Sequence, residues 1–347
     1  MEPINILVPN HDLDSVTRNT LAEVNRHSDM RIVIAGPGEG DRGGLEAPRI
    51  KSKLSFKAIA AYRCIMRREG INMTFSPSTS GLSTMLWASV GLGVCNIGYR
   101  GTQAKVRKSD PFNFLALLNP RVHHVVCETE DITEYIGGLI GKEKVSGMCK
   151  PYELSWVDEA MKAPIKPQDI PRDAFRLIYI GMSHHRPHKG LRQLVEAMEL
   201  MGDRNIHLTV IGSYDEELKA MPGASHITFL GPKPGAVAYI PGCDLYVLPS
   251  LRDASPRVLR EAQACGVPCV VTDIPGARDL IVPEVTGLLV EPDSPQAIAD
   301  AVCRLYDDRA LLGKFSEACR PYIRDNYAFA PYVEYFVNLF RTLAKKS

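Results

Sequence analysis

The sequence predicts an α/β protein built from two doubly wound domains. Short apolar runs alternate with amphipathic segments along most of the chain, a pattern typical of parallel strands joined by right-handed helical crossovers. The alternation stops at residues 151–173, which are rich in proline and mixed charge, and then restarts. A length of 347 residues also favours two domains of about 150 residues each.

The first domain is predicted over residues 1–150, with apolar runs as strands and segments of helical apolar spacing between them. The segment 36–48 is rich in glycine and predicts a loop. Predicted strands lie at 4–9, 30–35, 73–75, 94–97 and 122–127, and predicted helices at 15–27, 53–69, 82–90, 111–118 and 129–139.

The second domain is predicted over residues 174–328, after a linker at 151–173. The last segment, 329–347, contains a helix with aromatic residues, which we expect to pack back across a cleft between the domains. Ligands of such sheets bind beyond the carboxyl ends of the strands. The predicted strands lie at 177–180, 207–211, 227–230, 244–248, 269–272 and 288–290, with helices between most of them.

Composition and charge exclude several classes of protein. Apolar residues make up 45% and charged residues 23% of the chain, as in ordinary globular proteins, and a net charge of +1 does not indicate a nucleic-acid partner. Nine scattered cysteines without a CxxC pair favour reduced thiols over disulfides or a zinc site. No apolar run reaches the ~18 residues of a membrane span, and the start, Met-Glu-Pro, lacks the basic region of a signal peptide. We therefore expect a cytoplasmic protein.

Residues 244–266 predict a strand, a loop and a helix in succession. The apolar run 244–248 is followed by a polar loop, and from Pro256 onward apolar residues fall at helical spacing. Ser255 and Pro256 predict the start of the helix, because a hydroxyl caps free amides and proline suits the first helical position. The free N–H groups of a helix start at the end of a strand favour binding of a phosphate.

Two acids belong to this segment. Glu261 lies towards the apolar side of the predicted helix, where a carboxylate needs a partner, and Asp253 lies in the preceding loop. A pair of hydroxyls on a ligand would serve as that partner. The alternative is that Glu261 pairs with a structural arginine and that Asp253 is a solvated loop acid. For either residue alone this alternative is the favoured one, since structural ion pairs also place carboxylates in such positions.

A second strand, loop and helix open the second domain. The loop 181–190 ends in Lys189 and Gly190, and Lys189 is placed to meet an anion, although a solvated basic loop would have the same sequence. The loop does not match the GxxxxGK[ST] pattern. It also holds three histidines, for which we expect no metal, because the sequence offers no nearby carboxylate or cysteine to complete a site.

Several motifs of the second domain occur together in an order that resembles one enzyme family, the retaining family-4 glycosyltransferases of GT-B fold. That fold consists of two Rossmann-like domains facing a central cleft. The resemblance covers residues 175 to 325 and is looser in the first domain, at residues 98–102 and 119–122. The motifs are Gly181…Lys189-Gly190, Gly212, Gly231, Pro249-Ser250, Asp253 eight residues before Glu261-Ala262, Cys265-Gly266-Val267-Pro268, Asp273…Pro275-Gly276 and Thr286-Gly287-Leu288-Leu289-Val290.

The resemblance implies transfer of a sugar from a nucleotide-sugar donor to a glycan or lipid-linked acceptor, with retention of configuration and without a bound metal or cofactor. Cell-surface polysaccharide or lipopolysaccharide synthesis is its commonest setting. By this resemblance Glu261 holds the ribose hydroxyls, Asp253 contacts the donor sugar and Lys189 neutralises the diphosphate. The amides of Ala254 and Ser255 add to the phosphate site. We also predict donor-binding roles for Gly181, Arg186 and Ser250, and a catalytic role for Arg100 of the first domain, facing the cleft.

Three departures from the family pattern leave other functions open. Asp253 is one methylene shorter than the usual glutamate, Met182 stands where arginine is common, and Tyr99-Arg100 occupy a loop that often supplies a histidine. Arg186, His185 or His188 are candidates to replace the missing arginine. These departures make a catalytically silent nucleotide-sugar-binding protein one alternative. A sugar-nucleotide epimerase or phosphorylase of the same architecture is the alternative among enzymes. A phosphorylase would need a cofactor lysine, and the sequence shows no sign of one. A nicotinamide dehydrogenase is disfavoured because the first strand does not lead into GxGxxG.

The clearest basic cluster lies at residues 49–68, interleaved with apolar residues such as Ile50, Leu54 and Ile65. Such a segment suits contact with anionic lipid headgroups at the inner face of a membrane, which would bring the site to a lipid-linked acceptor. The simpler alternative is a solvated helix face. The cations are Arg49, Lys51, Lys53, Lys57, Arg63, Arg67 and Arg68.

Overall fold

The structure is a computed structural model that describes residues 3–102, 106–167, 170–171 and 173–345. The chain separates into two compact units, the first comprising Met1–Pro151 with Phe329–Ser347 and the second Tyr152–Ala328. Each unit is built around one parallel sheet with helices in its crossovers, which confirms the predicted α/β class.

The first unit contains a seven-stranded sheet in the order β3-β2-β1-β4-β5-β6-β7. The strand order reverses between β1 and β4, so the carboxyl ends of these two strands form the position where such sheets bind ligands. The strands are β1 Ile4–Pro9, β2 Met30–Gly36, β3 Leu45–Glu46, β4 Met73–Ser76, β5 Cys95–Arg100, β6 Val122–Cys127 and β7 Val145–Gly147, and the helices are α1 Ser15–Val24, α2 Phe56–Arg68, α3 Thr79–Ala88 and α4 Glu130–Ile140.

The prediction of a helix over residues 111–118 is wrong. Only a single 3₁₀ turn forms, Pro111–Asn113, with its first free amide accepted by the Asp110 carboxylate. Asn113 and Asn119 donate from their side chains to nearby carbonyls and so compete with a continuing helix. The strands β3 and β7 were not predicted, since two or three residues are too few for an alternating pattern to be legible.

The second unit contains a six-stranded parallel sheet in the order β10-β9-β8-β11-β12-β13, with its reversal between β8 and β11. The register pairs Leu245 of β11 with Leu177 of β8. Its strands are β8 Phe175–Ile180, β9 Ile206–Ile211, β10 Ile227–Gly231, β11 Leu245–Leu248, β12 Cys269–Thr272 and β13 Gly287–Val290, and its helices are α5 Asp158–Lys162, α6 Leu191–Leu200, α7 Arg257–Ala264, α8 Pro295–Asp307 and α9 Arg309–Asn326.

Much of the segment 151–173, which the sequence predicts to be a linker, is folded onto the second unit. It forms a 3₁₀ turn, Leu154–Val157, followed by α5, and the side chains of Val157 and Ala160 are buried. The Ile165 amide donates to the carbonyl of Ala238. Residues 168, 169 and 172 of the predicted linker lie outside the described residues.

The last helix, α10 Phe329–Ala344, belongs to the first unit. Its aromatic residues Phe336 and Phe340 are buried against Phe75 of β4, with ring centroids 5.3 and 6.0 Å from that ring. Arg341 forms a bidentate ion pair with Asp29. Among the described residues, none of the helices combines the length and the apolar character needed to cross a bilayer.

Candidate donor-binding site

The loops that follow β8 and β11 meet at the carboxyl ends of these neighbouring strands, in the second unit. The Leu251 amide donates to the carbonyl of His188 at 2.8 Å, which fixes one loop to the other. Gly190 adopts a left-handed backbone with φ of 70°, and a Cβ there would overlap the carbonyl of Pro249. Only glycine permits this approach, so the sequence Lys189-Gly190 is what brings the lysine to the second loop.

Lys189 and Asp253, 64 positions apart, form an ion pair at this point. The Nζ of Lys189 lies 2.6 Å from Oδ2 of Asp253, and the two side chains are only 23% and 17% exposed. Asp253 is therefore not the solvated loop acid that the simpler interpretation expects. The Ala254 amide donates to the other carboxylate oxygen at 3.0 Å, so one amide predicted for the phosphate site is bonded to Asp253 here.

Glu261 lies on α7 with its side chain 19% exposed. Its carboxylate lies 3.0 Å from Nε of Arg257, one helical turn earlier, and the Arg257 guanidinium lies over the ring of Tyr152 at 5.8 Å. Burial raises the pKa of Glu261, while Arg257 and Arg260 oppose that rise. The structure thus contains the arginine partner that the alternative requires. That arginine is 62% exposed, however, and such i,i+4 pairs stabilise by only about 0.3–0.5 kcal/mol.

The start of α7 differs from the prediction. The helix begins at Arg257, with Pro256 as the extended residue before it, and no side-chain hydrogen bond caps the helix. The Oγ of Ser255 is buried without a hydrogen-bond partner among the described residues, and the same holds for Oγ of the fully buried Ser250. Buried hydroxyls without partners are uncommon in folded proteins, and these two lie in the segment after β11 that also carries Asp253.

The loop 181–190 makes the site electropositive. The Gly181 amide is bonded to the carbonyl of Ile211, so this residue continues the sheet. Arg186 and Met182 are exposed. Burial, with the neighbouring cations Arg252, Lys189 and Arg186, lowers the pKa of His188.

The histidines of this loop have a carboxylate beside them that the sequence argument did not find. Asp215 follows β9, and its Oδ1 lies 2.7 Å from Nδ1 of His184. The His185 amide also donates to this oxygen, and these contacts hold the pKa of Asp215 below its usual range. The expectation of no metal rested on the lack of a nearby carboxylate or cysteine, and this reason is wrong. The adjacent strands β8 and β9 bring together His184 and Asp215, which are 31 positions apart.

Arg100 lies at the end of β5 in the first unit. Its side chain donates to the Thr79 hydroxyl at 3.4 Å, and burial lowers its pKa. Its predicted role in catalysis stays a prediction.

At the strand-order reversal of the same sheet, His11 and Ser78 are hydrogen bonded at 2.9 Å. Sequence reasoning missed them, although each follows shortly after a predicted strand, which is the available signal.

Comparison with known proteins identifies the second domain. Residues 174–308 match the family model described as glycosyl transferases group 1. The second domain is therefore similar to the glycosyl transferases of group 1. The matched residues span β8 to the end of α8, and therefore include Lys189, Asp253 and Glu261.

Curated relatives of this group 1 domain resemble the chain over part of their length. The capsular polysaccharide biosynthesis glycosyltransferase CapM of Staphylococcus aureus is 26% identical over 170 residues, which are 46% of this chain and 44% of that protein. The UDP-Gal:alpha-D-GlcNAc-diphosphoundecaprenol alpha-1,3-galactosyltransferase of Escherichia coli is 33% identical over 97 residues, 28% and 25% of the two chains. The chain thus spans less than half the length of these two relatives.

A solved structure matches the whole chain in fold. The crystal structure of a glycosyltransferase from Rickettsia africae ESF-5 superposes with a TM-score of 0.81 at 17% identity, covering 100% of both chains. This likeness confirms the GT-B type of fold, with two Rossmann-like domains.

Proposed function

We propose that the protein is a retaining glycosyltransferase that moves a sugar from a nucleotide-sugar donor to a glycan or lipid-linked acceptor, in cell-surface polysaccharide or lipopolysaccharide synthesis at the cytoplasmic face of a membrane. One observation carries the proposal: the group 1 domain holds the Lys189–Asp253 pair where its strand order reverses. The hydroxyls of Ser250 and Ser255, which find no hydrogen-bond partner in the described part of the chain, support a ligand there.

The chemistry of the site follows from charge. Breaking the anomeric bond of the donor places negative charge on the leaving diphosphate, and a fixed cation in a partly buried site stabilises that charge as it develops. Lys189 is such a cation, oriented by Asp253 before the donor binds. Asp253 and Glu261 are assigned to sugar and ribose contacts, not to the acid and nucleophile of a hydrolase. No metal is needed in this arrangement.

Glu261→Gln is expected to abolish stabilisation by the nucleoside diphosphate of the donor. A nucleotide at 100 times its dissociation constant should stabilise the parent chain by about 2.7 kcal/mol. Glutamine keeps the size of the side chain but loses the negative charge and one of the two oxygens that would accept hydrogen bonds from the ribose hydroxyls. A thermal-shift screen with UDP, GDP, ADP, dTDP and CMP on both chains measures the effect and also identifies the base.

The matched control is Arg257→Ala, which removes the ion-pair partner of Glu261 and leaves its carboxylate in place. If Glu261 binds ribose, this variant should keep its response to the nucleotide. Loss of the response in Arg257→Ala with retention in Glu261→Gln would reverse the assignment. A parent chain that binds a nucleotide sugar but neither transfers nor hydrolyses its sugar would be the silent binding protein instead.

The acceptor side of the proposal rests on one surface of the first unit. Lys53 donates to the carbonyl of Phe112 at 3.0 Å and so joins the loop before α2 to the loop 107–114. Phe56, Phe112 and Phe114 are 78%, 62% and 45% exposed on these segments. We name these three phenylalanines, with the exposed cations Arg49, Lys51, Lys57, Arg107 and Lys108, the phenylalanine–cation surface.

Only part of the basic cluster that the sequence suggests belongs to this surface. Ile50, Ile65 and Met66 are buried in the core, and Arg63 donates to the carbonyls of Ala88 and Val90. Exposed aromatic rings among cations are suited to insertion at the interface of an anionic bilayer. A lipid-linked acceptor would then be within reach of the protein.

Removing two of these rings is expected to weaken membrane binding. The double variant Phe56→Ser, Phe112→Ser should bind vesicles containing phosphatidylglycerol about tenfold less well than the parent, because burial of apolar area supplies part of the binding free energy. Flotation at low salt measures it. Val285→Ser, which changes an apolar residue 45% exposed on the second unit, is the control. A parent chain that does not float would show that the surface is merely solvated.

A further inference from the structure

Two adjacent histidines and an aspartate converge on the surface of the second unit, beside the donor site. His184 and His185 follow β8, and Asp215 follows its neighbour β9. The Nδ1 atoms of the two histidines lie 2.7 and 3.7 Å from Oδ1 of Asp215, and the three ligand atoms lie within 4.8 Å of one another. The side chains are 51%, 82% and 34% exposed, so solvent and solutes reach them.

The backbone explains how neighbouring histidines face the same way. His185 has φ of 53°, in the left-handed region that residues other than glycine seldom adopt. This turn places the two rings on one side of the chain, with their centroids 3.7 Å apart. Side chains of consecutive residues in an extended segment would point in opposite directions.

Backbone hydrogen bonds fix the two loops to each other independently of the rings. The amides of Ser183 and His184 both donate to the carbonyl of Ser213, at 2.7 and 3.2 Å. The His185 amide donates to the Asp215 carboxylate at 3.2 Å and so orients it. The arrangement is therefore present before any ligand binds.

We propose that His184, His185 and Asp215 form a surface site for a divalent first-row transition-metal ion such as Zn²⁺. Two imidazole nitrogens and one carboxylate oxygen suit such an ion, whereas Ca²⁺ and Mg²⁺ prefer oxygen ligands alone. Bonds of about 2.0–2.2 Å in tetrahedral geometry place neighbouring ligand atoms ~3.3 Å apart. The observed separations of 2.7 and 3.7 Å lie on either side of that value. Water completes the coordination.

An ion here joins the loop that carries Lys189 to the loop after β9. None of its three ligands is among the residues assigned to the donor, Lys189, Asp253 and Glu261, although His185 is one candidate for the role of the arginine absent at position 182. The ion itself has no part in the proposed transfer. Metal binding is therefore measured directly, and its result does not depend on the fate of the proposed function.

The test is a calorimetric titration of the protein, free of any purification tag and stripped with EDTA, with Zn²⁺. One saturable site with micromolar affinity is expected. His185→Ala and Asp215→Asn should each weaken binding at least tenfold, by the loss of one of three ligands. His226→Ala changes an exposed histidine elsewhere on the same unit and should leave binding unchanged.

A second measurement separates this site from the cysteines, of which Cys64 is exposed. The spectrum of the Co²⁺-loaded protein should show bands of nitrogen and oxygen coordination without a thiolate charge-transfer band. Absence of saturable Zn²⁺ binding in the parent would overturn the proposal and leave only a hydrogen-bonded histidine–aspartate cluster. Undiminished binding in both ligand variants, or a thiolate band, would overturn it too. Equal melting temperatures of the metal-free chains would show that the variants fold.

Discussion

Replacing Lys189 by alanine is expected to lower kcat for the proposed sugar transfer by about 10²–10³-fold, the usual effect of removing one fixed group that stabilises charge in a transition state. The cation is held 2.6 Å from Asp253 in a partly buried position, so its replacement by water would recover little of the stabilisation. KM for the donor should change much less than kcat, because the charge on the diphosphate increases as the anomeric bond breaks. Steady-state kinetics with sugar donors that carry the base identified by the thermal-shift screen measures both.

Two further variants show whether the positive charge of Lys189 is responsible for the expected loss of kcat. Lys189→Arg keeps the charge and should retain more activity than alanine, although the planar guanidinium does not reproduce the ammonium geometry. Lys219→Ala removes a half-exposed lysine of the same unit that is paired with Glu216, and should be close to the parent. Transfer by Lys189→Ala within a few-fold of the parent would show that another group neutralises the diphosphate. Arg186 would then be the first residue to replace.

The sequence was sufficient for the fold class and for the regions that form the candidate site, because these depend on local patterns. Apolar runs gave the strands that flank the site, and the Lys189-Gly190 and Asp253…Glu261 segments stand where parallel strands end. Strand order also places both segments beside one another, at the reversal between β8 and β11. What a local pattern cannot give is a distance between residues far apart in the chain.

The Lys189–Asp253 ion pair and the proximity of Asp215 to the histidines are both contacts between residues that are far apart in the chain. Each depends on which strands are neighbours in the sheet, and each changes the chemistry of the site.

The predicted start of α7 is wrong for a different reason. Ser255 and Pro256 have the composition of a helix start, but in the structure α7 begins one residue later and the serine hydroxyl stays buried. The local preference of a sequence for a helix start can be overridden where the loop must adopt another conformation, and ligand sites are common places for this.

Phe336→Ala is expected to destabilise the first unit by about 3–5 kcal/mol, the usual cost of truncating a large aromatic side chain in a packed core. Phe336 is 2% exposed and packs edge-on against Phe75 of β4 and Tyr332 of α10. The residue is 261 positions from Phe75, so this contact closes the first unit with the last helix of the chain. Hydrogen exchange followed by mass spectrometry measures the effect on each unit separately, since amides of β1 and β4 should exchange faster while those of β8 and β11 keep their protection.

Asn338→Ala provides the matched change on the same helix, at an exposed position, and should alter stability by less than about 0.5 kcal/mol. Faster exchange confined to the second unit in Phe336→Ala would show that α10 is assigned to the wrong unit. The expected result would instead show that the first unit needs a segment from each end of the chain. Along the chain, the residues of the second unit lie between the two segments that make up the first unit. A truncation that removes α10 would destabilise the unit that carries Arg100 and the phenylalanine–cation surface. Loss of transfer in such a truncated protein would therefore not locate a catalytic residue in α10.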